Sequence, residues 1–325
     1  MNALLHGAVY GAVIVTVLLT ITALGLWFER KFAGRMQSRL GPTMVGPIGL
    51  LQPVADVLKL LQKEDIVPRD ADRPLFDLAP LLSAMLALAV AAVVPFSPKA
   101  IASDLDVGVL WVLAIGGLTV IPTFMAGWAS NNKFALLGGM RAIAQSVSYG
   151  VPLVLAALVP VILTGSLSVS GIALWQTHHH WIVVWPLVPG LPAFVLFFLA
   201  MLAESNRIPF DIPEAESELV AGVTTEYTGM KFTLFYMAEY VHTLVGSAVA
   251  AALFFGGWDG PFHPGLVWMV AKTLLLFVSV YWVRWSLLRL RSDQLLALCW
   301  KWLTPIGIAL VLFAAAWVEF VPGEL

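Results

Sequence analysis

Apolar runs of about twenty residues, divided by short polar segments, make up most of this chain, and a hydrocarbon core of about 30 Å takes about 20 apolar residues per helix. On that template the pattern predicts eight spans, at about 5–28, 75–96, 107–128, 140–165, 182–204, 231–256, 264–286 and 296–318. The first apolar stretch, Ala8 to Phe28, runs straight into Glu29-Arg30-Lys31 with no small-residue cleavage site. It reads as a transmembrane helix rather than a cleavable signal. The first connection carries a different pattern: Leu50, Leu51, Val54, Leu58 and Leu61 recur at helical spacing, while Gln52, Asp56, Lys59 and Lys63 take the other face. This predicts an amphipathic helix over about 47–63 with Pro47 in its first turn, lying in the membrane interface. A helix buried against the spans is the alternative. With no internal repeat, low-complexity tract or separate soluble segment, the expectation is an all-α integral membrane protein, a single polytopic domain over residues 1–325.

Composition narrows the chemistry. The 325 residues are 60% hydrophobic and only 12% charged, against about 25% charged in soluble domains. A formal net charge of -2, without a basic stripe, excludes nucleic acid as a partner. The one cysteine, Cys299, forms no internal disulfide and holds no iron–sulfur cluster, which takes about four thiolates. Haem is disfavoured because His242 is the only histidine in mid-span; His178, His179 and His180 read as a solvated loop beside Trp181. No metal site is expected.

Charge is distributed to one side. The first connection holds Arg30, Lys31, Arg35, Arg39, Lys59, Lys63, Arg69 and Arg73, and the later odd-numbered connections add Lys133, Arg141, Arg207, Lys231, Arg289 and Arg291. The opposite side has Lys99 alone. By the positive-inside rule the odd connections are cytoplasmic and both termini periplasmic.

Two segments stand out chemically. The connection between the fifth and sixth spans, about 204–230, carries Glu204, Asp211, Glu214, Glu216, Glu218 and Glu226 against a single Arg207 before Lys231. Prolines interrupt it, so it is expected to fold back into the protein, where crowded carboxylates cannot all ionise and become suited to proton transfer. An exposed acidic loop is the alternative. Glu239 and Lys272 lie inside spans and are functional candidates on cost alone, a structural ion pair being the competing reading. In the second segment, Glu29 to Pro42, Arg35 and Arg39 are four apart and are expected to share a helix face. These arginines read either as a lipid or docking surface, or as a polar floor beside an opening in the membrane.

Glu29-Arg-Lys…Arg35-Met-Gln-Ser-Arg39-Leu-Gly-Pro, Gly49-Leu-Leu-Gln52-Pro53-Val-Ala-Asp56 and Asn206-Arg-Ile-Pro-Phe-Asp-Ile-Pro-Glu-Ala-Glu-Ser-Glu-Leu closely resemble the H subunits of bacterial NADH:quinone oxidoreductase, the respiratory complex I family that includes mitochondrial NADH dehydrogenase subunit 1. The resemblance continues through Arg141-Ala-Ile-Ala-Gln145, Glu226-Tyr227, Glu239-Tyr240, Lys272-Thr273 and Asp293-Gln294-Leu, and so covers the chain. It implies eight transmembrane helices in the bacterial cytoplasmic (inner) membrane, at the joint between a redox arm and a proton-pumping arm. The implied partners are hydrophilic quinone-module subunits on the cytoplasmic side and small and antiporter-like membrane subunits. Quinone is the implied substrate, with flavin and iron–sulfur clusters only in partner subunits and no cofactor or redox centre here. Carried onto this chain, the resemblance puts Glu29, Arg30, Gln37, Arg39 and Asp56 at the quinone chamber or its entrance. It puts Glu204, Asp211, Glu214, Glu216, Glu218, Glu226, Glu239 and Lys272 on a proton path. Where the family carries a glutamate after Ser-Tyr, this chain has Ser148-Tyr149-Gly150, so one carboxylate of that path is absent. The rival functions are the membrane component of an energy-converting hydrogenase and a secondary transporter, the latter disfavoured by the lack of an internal repeat.

Overall fold

The structure, a computed structural model, describes residues 2–98, 100–184, 189–261 and 265–320; the side chains of 2–10, Glu216 and Ser217 lie outside the described set. The helices are α1 (Asn2–Met36), α2 (Gln52–Gln62), α3 (Arg73–Ala91), α4 (Gly108–Leu118), α5 (Val120–Ala129), α6 (Lys133–Thr164), α7 (Val169–His178), α8 (Gly190–Glu204), α9 (Glu216–Leu219), α10 (Gly229–Phe254), α11 (Leu266–Ser286), α12 (Ser292–Leu298) and α13 (Thr304–Phe320). No strand occurs among the described residues. α4 runs into α5, and α12 runs through a π-helical turn at Cys299–Leu303 into α13. Counted that way, the described residues hold seven helices long and apolar enough to cross a membrane, plus the shorter apolar α8. α8 is the helical part of the span expected at 182–204, of which 182–184 and 189 are turn and 185–188 lie outside the described residues.

α10 is the axis of the fold. It packs on α1, α3, α7, α8 and α11, and Ala248, Ala250, Ala251 and Ala252 are buried along it, small enough for neighbouring backbones to come close. α6, the other long central helix, packs on α5, α8 and α13. α8 has only 15 residues, about 22 Å at 1.5 Å each, too short for the hydrocarbon core. The chain between α8 and α10 is mostly irregular backbone whose polar groups are met by protein groups. The buried Gln145 amide of α6 does much of this, donating to Ala203 O at 2.7 Å, Phe210 O at 2.9 Å and Asn206 Oδ1 at 3.1 Å.

Three expectations are corrected. α1 continues past Phe28 to Met36 and ends at Ser38, whose φ is 55°, with Arg39 N–H donating to Gly34 O. This left-handed cap turns the chain, so Arg35 and Arg39 do not share a helix face. The amphipathic helix begins at Gln52 rather than Pro47, because Pro47–Gly49 form a separate 3-10 turn in which Ile48 (φ 57°) and Gly49 (φ 77°) depart from helical backbone, and Pro53 takes the first-turn position. Gly49 is required there: a β-carbon would stand 2.2 Å from Pro42 O. Val54, Leu58 and Leu61 of α2 are exposed rather than packed on the spans, while Pro53 is buried. Finally, α7 is a helix where no element was expected, capped by Ser168, whose side chain accepts from Gly171 N–H.

Candidate functional site

Among the described residues, two cavities open near the N-terminal half of α10. The first lies between the end of α1, α10 and α11, encloses about 760 Å³ counting its open mouth, and is walled by Glu29, Arg30, Arg39, Tyr236, Tyr240 and Arg284. Two of its three arginines are paired with carboxylates. Arg284 Nη1 is 2.7 Å from Glu29 Oε1, and the Tyr240 hydroxyl donates to Glu29 Oε2. Arg30 pairs with Asp56 of α2 at 2.5 Å, and Gln52 Nε2 donates to the other Asp56 oxygen at 3.1 Å. These bonds tie α2 to the rim. Gln37 accepts from Arg39 Nε at 2.7 Å, so it orients an arginine of the wall from an exposed position. Apolar Leu26, Ala33, Pro42 and Trp285 complete the lining.

The second cavity lies among α3, α5, α6, the end of α8 and α10, with about 790 Å³ of empty space counting its mouth. Glu204, Glu214, Glu239 and His242 line it, together with hydroxyls from Ser83, Thr119, Thr123, Ser146, Ser205 and Thr224. Glu204 reaches it because Gly116 has no side chain: a β-carbon there would stand 2.1 Å from Glu204 Oε1. Here carboxylates outnumber cations. Glu214, in the irregular segment, is held well above the usual carboxylate range by the Glu239 carboxylate beside it, by burial and by Asp211, against the opposing pull of Arg207 and Arg284.

One residue touches both systems. Arg207, 2% exposed, pairs with Glu239 Oε2 at 3.4 Å and lies over the Tyr240 ring at 4.2 Å from its centroid. Burial disfavours its charge, but Glu239, Tyr240, Tyr281 and Glu29 more than offset this, and it stays a cation. Glu239 and Tyr240 are adjacent on α10 and face different cavities, so the wall between them is a chain of contacts: Glu239, Arg207, Tyr240, Glu29, Arg284.

The expected path residues therefore divide. Glu204, Glu214 and Glu239 come together, with Asp211 near enough to act on Glu214. Glu218 does not join them; it pairs with Arg141 at 2.5 Å in an exposed position, and the bond from Arg141 holds its carboxyl below the usual range. Glu226 accepts from Asn132 Nδ2 and lines a separate depression with Arg69, Asp70 and Lys133. Glu216 falls outside the described side chains. Lys272 forms no ion pair with Glu239. Its Nζ donates to the carbonyls of Phe255, Gly257 and Asp259 beyond the end of α10 and lies over Trp181 at 4.0 Å, where it binds the carbonyl-rich C-terminus of a helix. Gly150 has open space where a side chain would stand. Sequence reading passed over Arg207, Tyr240, His242 and Arg284 as site residues. The signals were Arg207 as the sole cation in an acidic run and His242 as the sole mid-span histidine. Among the described residues no group of three or more His, Cys, Asp and Glu side chains is arranged to hold a metal.

A family model described as NADH dehydrogenase matches residues 9–315. The chain is 48% identical over 306 residues to the NADH-quinone oxidoreductase H subunit of Dehalococcoides mccartyi strain 195, covering 94% of this chain and 84% of that one. It is 45% identical over 339 residues to the protein of the same name from Brevibacillus brevis, covering 99% of both chains. A third relative of that name, from Paraburkholderia xenovorans, is 44% identical over 317 residues, covering 94% and 89%. Matched over nearly its whole length in this way, the chain belongs to the NADH dehydrogenase family, among the H subunits of NADH-quinone oxidoreductase.

Proposed function

We propose that the chain is the complex I membrane component that receives the quinone headgroup in the cavity beside Glu29 and Tyr240 and passes the effect of its reduction to the acidic cavity. The observation that carries this reading is Arg207, which pairs with Glu239 on one side of a shared wall and stacks on Tyr240, the donor to Glu29, on the other. Two-electron reduction of a quinone consumes two protons, so the charge and hydrogen bonding around Glu29 change at that event. A cation paired with Glu239 and stacked on the phenol that holds Glu29 shifts with that phenol, which alters the proton affinity of Glu239 and Glu214. The size supports a small ligand, since the cavity beside Glu29 has about 380 Å³ without its open mouth and such sites run to about 300–1,000 Å³. Asp56, Arg30, Gln37 and Arg39 set the entrance, with the exposed Val54, Leu58 and Leu61 of α2 in the membrane interface.

The one-sided basic residues favour insertion in a bacterial inner membrane with both termini periplasmic and the quinone cavity toward the cytoplasm. The hydrophilic quinone-module subunits close that cavity and carry the iron–sulfur clusters and flavin. Small and antiporter-like membrane subunits continue from the acidic side. Glu204→Gln and Glu239→Gln in the assembled complex test the reading. Quinone-linked turnover should fall at least about tenfold, while ferricyanide reduction by the redox arm survives. Wild-type quinone turnover in both variants would refute it.

A further inference from the structure

The acidic cavity contains one titratable side chain that is neither a carboxyl nor a phenol. His242 lies one turn beyond Glu239 on α10, is 8% exposed, and forms part of the cavity wall. Residues three apart share a helix face, so Glu239 and His242 look into the same space. Its Nε2 is 3.6 Å from Glu204 Oε1, beyond hydrogen-bond length, and neither ring nitrogen has a hydrogen-bond partner among the described residues. Two unsatisfied nitrogens make imidazole a costly way to fill apolar volume, and a leucine or methionine would serve packing better. The other titratable groups lining the same cavity are Glu204 from α8, Glu239 from its own helix, Glu214 from the irregular segment and Tyr149 from α6. α3 and the α4–α5 span line it with Ser83, Thr119 and Thr123 and no charge.

We propose that His242 is a proton relay residue between Glu239 and Glu204. The inference rests on the reading that this cavity is a proton route. An imidazole takes up a proton at one nitrogen and releases one from the other, which is what a relay requires. Glu239 gives up its proton and becomes a carboxylate held by Arg207, while the ring becomes imidazolium beside Glu204. Transfer to the Glu204 carboxylate then leaves Glu204 protonated and the ring neutral. Nothing is oxidised or reduced, and one proton has moved between two helices whose carboxylates need no direct contact.

The experiment uses the assembled complex in liposomes with His242→Gln, His242→Asn and His242→Glu, compared over a pH series for quinone turnover, proton-to-electron ratio and ferricyanide reduction. Glutamine and asparagine should lower quinone turnover at least about tenfold, abolish one limb of the pH profile, and leave ferricyanide reduction intact. Glutamate, which titrates, should recover much of the rate with the limb displaced. Wild-type rate and profile in the glutamine and asparagine variants would overturn the proposal. So would failure of all three variants to assemble, which would make His242 a packing residue. Glu204→Gln and Glu239→Gln measured alongside separate the two levels: normal turnover in both removes the route itself, whereas loss in both with a normal His242→Gln removes only the relay.

Discussion

The two cavities on either side of Arg207 are built from the same residue types to opposite ends. Around Glu29 the charges close into pairs: Arg284 with Glu29 and Arg30 with Asp56, with Tyr240 supplying the second bond to Glu29. Around Glu239 three carboxylates line one cavity, Arg207 pairs with Glu239, and the other polar lining is mostly hydroxyls and a histidine. Paired charges hold their protonation state and their geometry, which suits a binding wall. Surplus carboxylates in a buried place cannot all ionise, so some hold protons they can exchange. The difference lies in the cation count, and Arg207 is the residue on which both sides draw.

The sharpest way to break the comparison is Arg207→Met. Losing the cation leaves Glu239 buried without its partner, at a cost of about 3–5 kcal/mol, and should sharply lower the melting temperature of the purified complex along with quinone turnover. A variant of wild-type stability would mean the wall is not held electrostatically. Tyr240→Phe is smaller: it removes one bond to a charged group, about 1.5–3 kcal/mol, and uncouples Glu29 from the Arg207 stack. It should lower quinone turnover several-fold, with ferricyanide reduction as the control.

Glu214→Gln sharpens the contrast through pH. Because the folded protein holds the Glu214 proton well above its ordinary value of 4.5, the folded state binds more protons than the unfolded one between those two values. That contribution to stability is complete below about pH 4.5 and is lost as pH rises through the folded pKa. The wild type should therefore lose stability with rising pH more steeply than Glu214→Gln, in melting curves taken across that window. Glu218→Gln is the smallest effect. Its pair with Arg141 is exposed, worth under about 1 kcal/mol, and its lowered pKa supplies stability only above the ordinary value, lost as pH falls. Quinone turnover should stay near wild type, and a tenfold loss would put Glu218 back on the proton route.

Hydropathy periodicity located the helices well, because the transfer cost of each side chain is a local property. It misjudged ends where backbone conformation decides, as at Ser38 and Ile48, and it passed over α7, whose composition differs little from that of the chain around it. The acidic segment was legible as a cluster and as a fold-back, but its members could not be ranked. Glu214 and Glu218 are four residues apart in one motif, yet one faces Glu239 in a cavity and the other faces Arg141 in the open. Lys272 was legible as an intramembrane cation, while its partners, three carbonyls at the end of another helix, were not.

By itself, then, the sequence determined that this is a helical membrane protein with its charge gathered in alternate connections, an acidic segment between two helices and the motifs of its family, since composition and spacing carry those properties residue by residue. Only the tertiary structure decided which charges neutralise each other. Glu29 meets Tyr240 and Arg284 across more than two hundred residues of chain, and Glu204 meets His242 over a glycine on a third helix. Charge interactions inside a protein depend on separation and burial, and helix packing sets both.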